Sequence, residues 1–587
     1  MHSEIKLKWH NFFLRIYVFI YFLSMTIKKP FALAIFINIF FFFLYVTFGQ
    51  IRFGSLDDYF MSGVLTGAYG SSYDVHTFFV NAAYGYFLKP FYYFFPKVGW
   101  YFLFELFGTF AAFTVFAYFF IYQQGAKWGL ALSALLLATL SPDFYFQLSF
   151  TQCATIYTAA GIILVLFGNA ERKIKMLVFG GLFMIAGNIM RYEGFLLGLP
   201  YLLTPFLFHF TKKTKISKCT IFALCFIALS IFGLRTLNTN LYSEGDYKYY
   251  ADYQPIRAYF GDGAFYDQES TYDELEERGL SGHDFFMLKS WLFYDTDAFD
   301  IDSLEKIKKV AQNNLYEPNY KRVFVAFLLA VSNVFVRPTG WCWTILCILL
   351  IVFGNKKGGL YPWTSLSIIA ISIGYLLLVN RLVYHVETGI WLYAIVSAIP
   401  VLPPDFANKM AFPKRAKIYL VLIVVMAICF ACVNISNQGS LKTQWSLIEH
   451  PEKTDKWVSF IKYVESHPSD VFLLSFDKYK SLGTIKNPAY TAIAPGSWNN
   501  IFSWGYWNIH LPSMKNELAK RGVKNPVREA IQSNVYVVED LENPILGVYL
   551  ERHYHMQLTS DTVRKFGNDL ILLKYSIVNG KDVEENE

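Results

Sequence analysis

Between Pro30 and Gly49 the chain carries no charged side chain, and ten further apolar runs follow it. Crossing about 30 Å of hydrocarbon takes about 20 helical residues, so such a run reads as a transmembrane helix. Within hydrocarbon every backbone polar group must be satisfied inside its own segment, which favours the helix over any open form. The runs lie at 30–49, 99–122, 129–148, 155–170, 176–190, 195–211, 219–237, 340–353, 361–379, 389–403 and 417–436. Composition agrees, since charged residues fall to 17% of the 587, against roughly 25% in a soluble domain. The expected fold is a polytopic α-helical membrane protein of about eleven transmembrane helices.

Short cytoplasmic loops are the basic ones, so the loop lysines and arginines set the orientation. Lys28-Lys29, Lys127, Arg172-Lys173-Lys175, Lys212-Lys213-Lys215-Lys218, Lys356-Lys357 and Lys409-Lys414-Arg415-Lys417 share one side if the eleven runs span. The N-terminus is then expected inside the cell and the C-terminus outside, in the cell membrane. The long loop 238–339 faces outward and is rich in acids, among them Asp262, Glu274, Asp295 and Asp302. The net charge of +7 is therefore no nucleic-acid footprint, because the bases sit in clusters between apolar runs.

Several segments need separate readings. The run Ile16–Ile27 ends in Lys28-Lys29 without a small-residue cleavage site. Residues 1–29 are thus expected to be an interfacial cytoplasmic segment rather than a removed signal. Residues 323–336 are apolar enough to span, but counting them would put Lys356-Lys357 outside; residues 319–336 read as an amphipathic helix at the outer surface. Within the outer loop, Ser281-Gly282-His283-Asp284 is a capping box opening a helix through Trp291, and 304–314 reads as another helix. Residues 30–437 form the membrane domain, with outer loops 50–98 and 238–339. Beyond Asn437 the composition turns soluble. Strand-like runs at 471–476, 534–538 and 570–575 alternate with helical runs at 453–465, 513–521 and 526–532, the pattern of a small α/β domain over 438–587. The seven cysteines lie in or beside apolar runs, so no disulfide framework is expected, and Cys429 with Cys432 reads as helix packing. His553 and His555 form no metal-ligand set. No cofactor is expected, and nothing indicates a divalent metal.

The candidate chemistry lies where runs leave the membrane. Asp57 and Asp58 follow the first run in Arg52-Phe53-Gly54-Ser55-Leu56-Asp57-Asp58-Tyr59. A carboxylate pair at membrane depth is costly and marks a functional site by default. The plainer alternative is a capping box, since Ser55 precedes Asp58 by three residues. Asp74 and His76 lie later in the same outer loop, and Asp143 lies between the third and fourth runs. Arg191 and Glu193 make the turn Arg191-Tyr192-Glu193-Gly194, while Arg381, His385 and Glu387 occupy the turn before the tenth run. Four loops thus send carboxylates and arginines to one surface, which points to a shared polar cavity.

Arginine suits phosphate, because its planar fork bonds two oxygens at once. Arg191, Arg381, His385 and Arg52 are therefore candidate donor-phosphate ligands. A carboxylate nearby can take the proton of an acceptor hydroxyl as that hydroxyl attacks a sugar carbon. Asp57 and Asp58 are the catalytic candidates, with Asp57 favoured. Asp74, His76, Asp143, Glu193 and Glu387 are candidate substrate contacts. No soluble nucleotide-sugar motif is present, so a lipid phosphate is the natural leaving group.

This layout resembles the GT-C superfamily of integral-membrane glycosyltransferases. The resemblance rests on Leu56-Asp57-Asp58-Tyr59 after the first run, on Arg191-Tyr192-Glu193-Gly194, and on outer surface helices. It covers residues 30–436, and Asp-Asp replaces the family's Asp-Glu. It implies an inverting transfer of a hexose or pentose from a polyprenyl-phosphate sugar to a cell-envelope glycan or lipid, as in polysaccharide assembly. Two other classes fit the composition: a transporter or flippase for a lipid-linked glycan, and a non-catalytic envelope-assembly protein. A transporter should show inverted repeats with broken helices at midplane, and the sequence shows none.

Overall fold

The computed structural model describes residues 29–578 except 50, 210–215, 262–265, 316–319, 337, 354–357, 380, 405–412, 445–450 and 483–488. The interfacial segment expected at 1–29 lies almost wholly outside the described residues. Each of the eleven apolar runs is helical over most of its length. Among the described residues, five helical segments are long and apolar enough to cross a membrane: Pro30–Phe48, Trp100–Thr139, Phe150–Glu171, Lys218–Tyr242 and Gly358–Leu378. Ile174–Met190, Thr339–Val352 and Leu420–Ile435 are shorter apolar helices.

The segment Trp100–Thr139 contains two of the runs, and the break between them is Gly125. Its backbone (φ 74°, ψ 170°) lies where a side chain is strained, so glycine permits the reversal. Ser133 Oγ donates to the Ala117 carbonyl at 3.3 Å, so residues 126–139 run back along 100–124. Lys127 sits at this reversal, as the charge pattern expects.

Long-range hydrogen bonds sort the helix ends into two groups. Gln123 and Gln124 at the Gly125 reversal donate to the Leu402 and Pro403 carbonyls at 2.6 and 2.9 Å. The Lys173 ammonium lies 5.3 Å from the Tyr122 ring centre at the same end. At the opposite end Asn434 Nδ2 donates to Ala138 O at 2.8 Å, and Tyr384 OH to Asp143 Oδ1 at 2.6 Å. Lys127, Arg172 and Lys173 therefore gather away from the acidic turns. The helix Phe150–Glu171 is almost entirely buried and stands at the centre of the bundle.

Strands β1 (Arg52–Phe53) and β2 (Gln147–Leu148) pair in parallel at the acidic end. The remaining strands are β3 (Val471–Leu474), β4 (Ile501–Ser503), β5 (Val535–Val538), β6 (Leu558–Gly567) and β7 (Leu570–Ile577), ordered β4-β3-β5-β7-β6. β3 is parallel to β4 and β5, whereas β7 is antiparallel to β5 and β6. Helices Pro451–Glu465 and Pro512–Lys520 match two of the expected helical runs. The third, 526–532, is only a 3₁₀ turn, Arg528–Ile531, because Glu529 leaves helical geometry (φ −89°, ψ 15°).

This α/β unit is packed against the acidic end of the bundle rather than tethered to it. Gly99 N–H donates to Tyr490 O at 2.7 Å, and Ala492 N–H to Lys97 O at 3.0 Å. Phe293 and Tyr294 N–H both donate to Trp504 O at 2.8 Å. Fully buried Asp295 accepts from Asn525 Nδ2 (2.7 Å), Tyr549 OH (2.9 Å) and Tyr554 OH (2.7 Å). The Trp291 ring stacks on Phe476 at 4.0 Å. One hydrophobic core runs from Leu33 to Tyr575.

The loop after Lys218–Tyr242 is folded over its described residues, and the expected Ser281 cap forms. Ser281 Oγ accepts from Asp284 N–H at 3.1 Å to start Gly282–Lys289. That helix stops short of Trp291, whose backbone is left-handed at φ 60°. Asp300 caps Ile301–Asn313 in the same manner. The segment expected as a surface helix forms Tyr320–Val336, which packs on Pro338–Phe353 and Tyr361–Leu378 and leaves Phe324, Leu328 and Leu329 exposed. His553 pairs with Asp284 at 2.8 Å, and His555 ends the helix Ile545–Tyr554 at φ 55°.

Candidate functional site

The helix Leu56–Thr66 begins at Ser55, whose extended backbone lets its hydroxyl accept from Asp57 N–H at 3.1 Å. A helix turns about 100° per residue, so Asp57 and Asp58 point in different directions. Asp58 points inward and is wholly buried. Its carboxyl accepts from Tyr101 OH at 2.7 Å and from Phe150 N–H at 3.1 Å. The capping-box reading is thus half right: Ser55 caps the helix, but the Asp58 side chain ties it to Tyr101 and Phe150. Burial holds the Asp58 carboxyl well above its ordinary range, beyond what these two donors pull back, and the neighbouring Asp57 charge adds to the rise. Asp58 is closed off behind Tyr101 and Phe150, which leaves Asp57 the more accessible of the two catalytic candidates.

Asp57 is half-buried and faces the α/β unit. Tyr506 OH donates to its Oδ1 at 2.7 Å, and Ser55 Oγ lies 3.4 Å from its Oδ2. It is the carboxylate of the pair that a reacting group can approach.

The start of Phe150–Glu171 is the meeting point of the other turns. Ser149 caps it, accepting from Gln152 N–H at 3.3 Å. Arg191, where Ile174–Met190 ends, donates from Nη1 to Thr151 Oγ1 at 2.6 Å. The same guanidinium lies 5.2 Å from the Phe150 ring centre and 3.6 Å from Glu193 Oε2. His385 lies within electrostatic reach of Arg191. Its neighbour Tyr384 bonds Asp143, whose own carbonyl accepts from Gln152 Nε2 at 3.0 Å. Glu387 is buried in the first turn of Tyr384–Ala398, which packs against Thr155 through Gly389. Asp143, Arg191, Glu193, His385 and Glu387 thus gather at one helix N-terminus, which itself favours negative charge, and Asp58, next to Asp57, bonds its first N–H.

Other candidates lie apart from this centre. Asp74 and His76 form a dyad, Oδ1 to Nδ1 at 2.6 Å, and Tyr247 OH donates to Asp74 Oδ2 at 2.8 Å. The His76 ring stacks on Tyr247 at 3.6 Å, so this dyad belongs to the outer end of Lys218–Tyr242 and the helix after it. Arg52 lies in β1 opposite Gln147, and burial lowers its guanidinium to about 10, still charged at neutral pH. Arg381 is exposed, its backbone N–H on the Leu376 carbonyl.

Sequence reasoning missed Glu105, Tyr506 and Arg235. Glu105 is wholly buried beside Asp58. It was legible as the only charge in the run 99–122, a rare and informative position. Arg235, likewise alone in the run 219–237, has its guanidinium 3.8 Å from the Tyr192 ring centre. It stands over a cavity of about 690 Å³ between Tyr192–His209 and Lys218–Tyr242, lined by Met184, Phe195, Leu199, Leu224, Ile227 and Ile231. Tyr506 lies in an aromatic stretch of the α/β unit, where nothing local points to Asp57. No family model matches the chain, and no curated protein matches it.

Proposed function

We propose that this protein is an integral-membrane glycosyltransferase of GT-C type, moving a sugar from a polyprenyl phosphate to a cell-envelope glycan or lipid. In this reading the acidic end and the α/β unit face outward, the eleven runs span, and the basic end is cytoplasmic. The acceptor hydroxyl gives its proton to Asp57 as its oxygen attacks the anomeric carbon. The bond from that carbon to the phosphate oxygen breaks on the opposite face, so configuration inverts. The charge released on the phosphate is met by Arg191, with its bidentate fork.

The observation that carries this reading is that Asp58, the residue next to half-buried Asp57, and Arg191 both bond the first turn of Phe150–Glu171, through Phe150 N–H at 3.1 Å and Thr151 Oγ1 at 2.6 Å. The apolar cavity next to Tyr192 supports a substrate that arrives in the bilayer, since its walls suit a hydrocarbon chain and Arg235 suits an anionic head. The test is sugar transfer from polyprenyl-phosphate sugars in proteoliposomes by Asp57→Asn and by Arg191→Lys. Loss of the base should lower the rate roughly a hundred- to ten-thousandfold. Arg191→Lys should lose about tenfold or more, because charge stays while the fork is lost. Wild-type turnover in Asp57→Asn would refute the reading.

A further inference from the structure

The α/β unit follows the last apolar run and is remote in sequence from every catalytic candidate, yet it reaches the site. β3 and β4 are parallel neighbours, and the segments leaving their C-terminal ends both turn toward the helix Leu56–Thr66. After β3, Tyr479 stacks on Phe60 at 4.9 Å and donates to Tyr69 OH at 3.1 Å. After β4, Ser503 Oγ accepts from Gly505 and Tyr506 N–H at 3.1 and 3.0 Å, which fixes the turn carrying Tyr506. The Tyr506 ring is then packed by Phe60 at 5.0 Å, Phe476 at 5.8 Å and Tyr479 at 5.7 Å. Its hydroxyl has one direction left, and there it meets Asp57 Oδ1 at 2.7 Å. The crevice beyond the C-terminal ends of parallel strands is where open α/β sheets bind ligands. In this protein the outer helix of the membrane domain occupies it.

We infer that the α/β unit is a working part of the Asp57 site, with Tyr506 as the positioning residue that holds the Asp57 carboxylate and sets its readiness to take a proton. A donor to the ionised form stabilises that form. Removing the phenol therefore raises the affinity of Asp57 for a proton, and supplying a better donor lowers it. Tyr506 also engages Oδ1, which directs proton uptake to Oδ2 on the Ser55 side. The inference rests on the proposed function for the role of that proton, but the tie itself is independent of any substrate.

The test reads the protonation of Asp57 directly. Dicyclohexylcarbodiimide modifies protonated carboxyls, and peptide mass spectrometry of the full-length protein in nanodiscs quantifies labelling at Asp57 across pH. In Tyr506→Phe the midpoint should move up by about one pH unit, a roughly tenfold change in labelling rate at fixed pH near the midpoint. Should Tyr506→Phe fail to fold, 3,5-difluorotyrosine at position 506 keeps the shape and strengthens the donor. Its midpoint should move down, read where the fluorinated phenol still holds its proton. An unchanged midpoint in either folded variant overturns the inference. Failure of Asp57→Asn to slow transfer would sink the catalytic reading instead, and would leave the labelling result standing.

Discussion

Replacing Asp58 by Asn and by Ala should give opposite outcomes, and the geometry says why. Two donors converge on one oxygen: Tyr101 OH at 2.7 Å and Phe150 N–H at 3.1 Å both reach Oδ1. Asn keeps an oxygen there, and its amide can donate toward buried Glu105. It also removes the need to bury a charge, so Asp58→Asn should unfold within about 1 kcal/mol of wild type. Ala leaves the Tyr101 hydroxyl and the Phe150 N–H without an acceptor. Each orphaned buried donor costs roughly 1–3 kcal/mol, so Asp58→Ala should lose about 2–6 kcal/mol. pH supplies a second test. Because burial holds the folded carboxyl above its ordinary value of 3.8, folding takes up a proton between those two values. That contribution is full below 3.8 and is lost as pH rises through the folded value, and the Asn variant should lack this dependence. Thermal unfolding of the detergent-solubilised protein across pH measures all three. If Asn is as damaging as Ala, or if it keeps the wild-type pH slope, Asp58 is ionised in the fold and the argument fails.

Three further outcomes are expected. A membrane-impermeant thiol label should reach cysteines introduced at Ser270 and Ser497 in intact cells, in a cysteine-free background; protection of either until lysis would refute the orientation. Burial pushes Glu539 up to about 7 from 4.5, despite donors from Tyr575 OH and Leu546 N–H, so it stabilises the α/β unit below 4.5 and stops doing so as pH rises past about 7. That interval is worth roughly 3 kcal/mol, and Glu539→Gln should abolish it in hydrogen exchange of the β5 and β7 amides. At Gly505 an added Cβ would lie 1.5 Å from the Trp291 carbonyl oxygen. Gly505→Ala should therefore loosen the docking by roughly 1–3 kcal/mol or more, seen as faster protease release of the α/β unit. Unchanged release would mean the contact yields.

Local pattern was enough to place the helices. A run such as 30–49 has one low-energy form in hydrocarbon, and its helix Pro30–Phe48 ends where the charges resume. Ser55 and Ser281 were legible as caps because capping spans only three residues. Strands β3, β5 and β7 were legible as short apolar runs, whereas β4 and β6 were not, and the turn Arg191–Gly194 was legible through its charges. Which of two adjacent aspartates would be buried was not. Asp57 and Asp58 are equivalent in the sequence pattern, and only the arrival of Tyr101 and Phe150 closes over one of them. The α/β unit gave no sign that it would reach Asp57, because Tyr506 contacts it across more than four hundred residues of chain. Periodicity and charge are read within a few turns of helix, and they decide what each segment becomes. The site is made by pairings between distant segments, whose geometry is fixed only when all of them share one core.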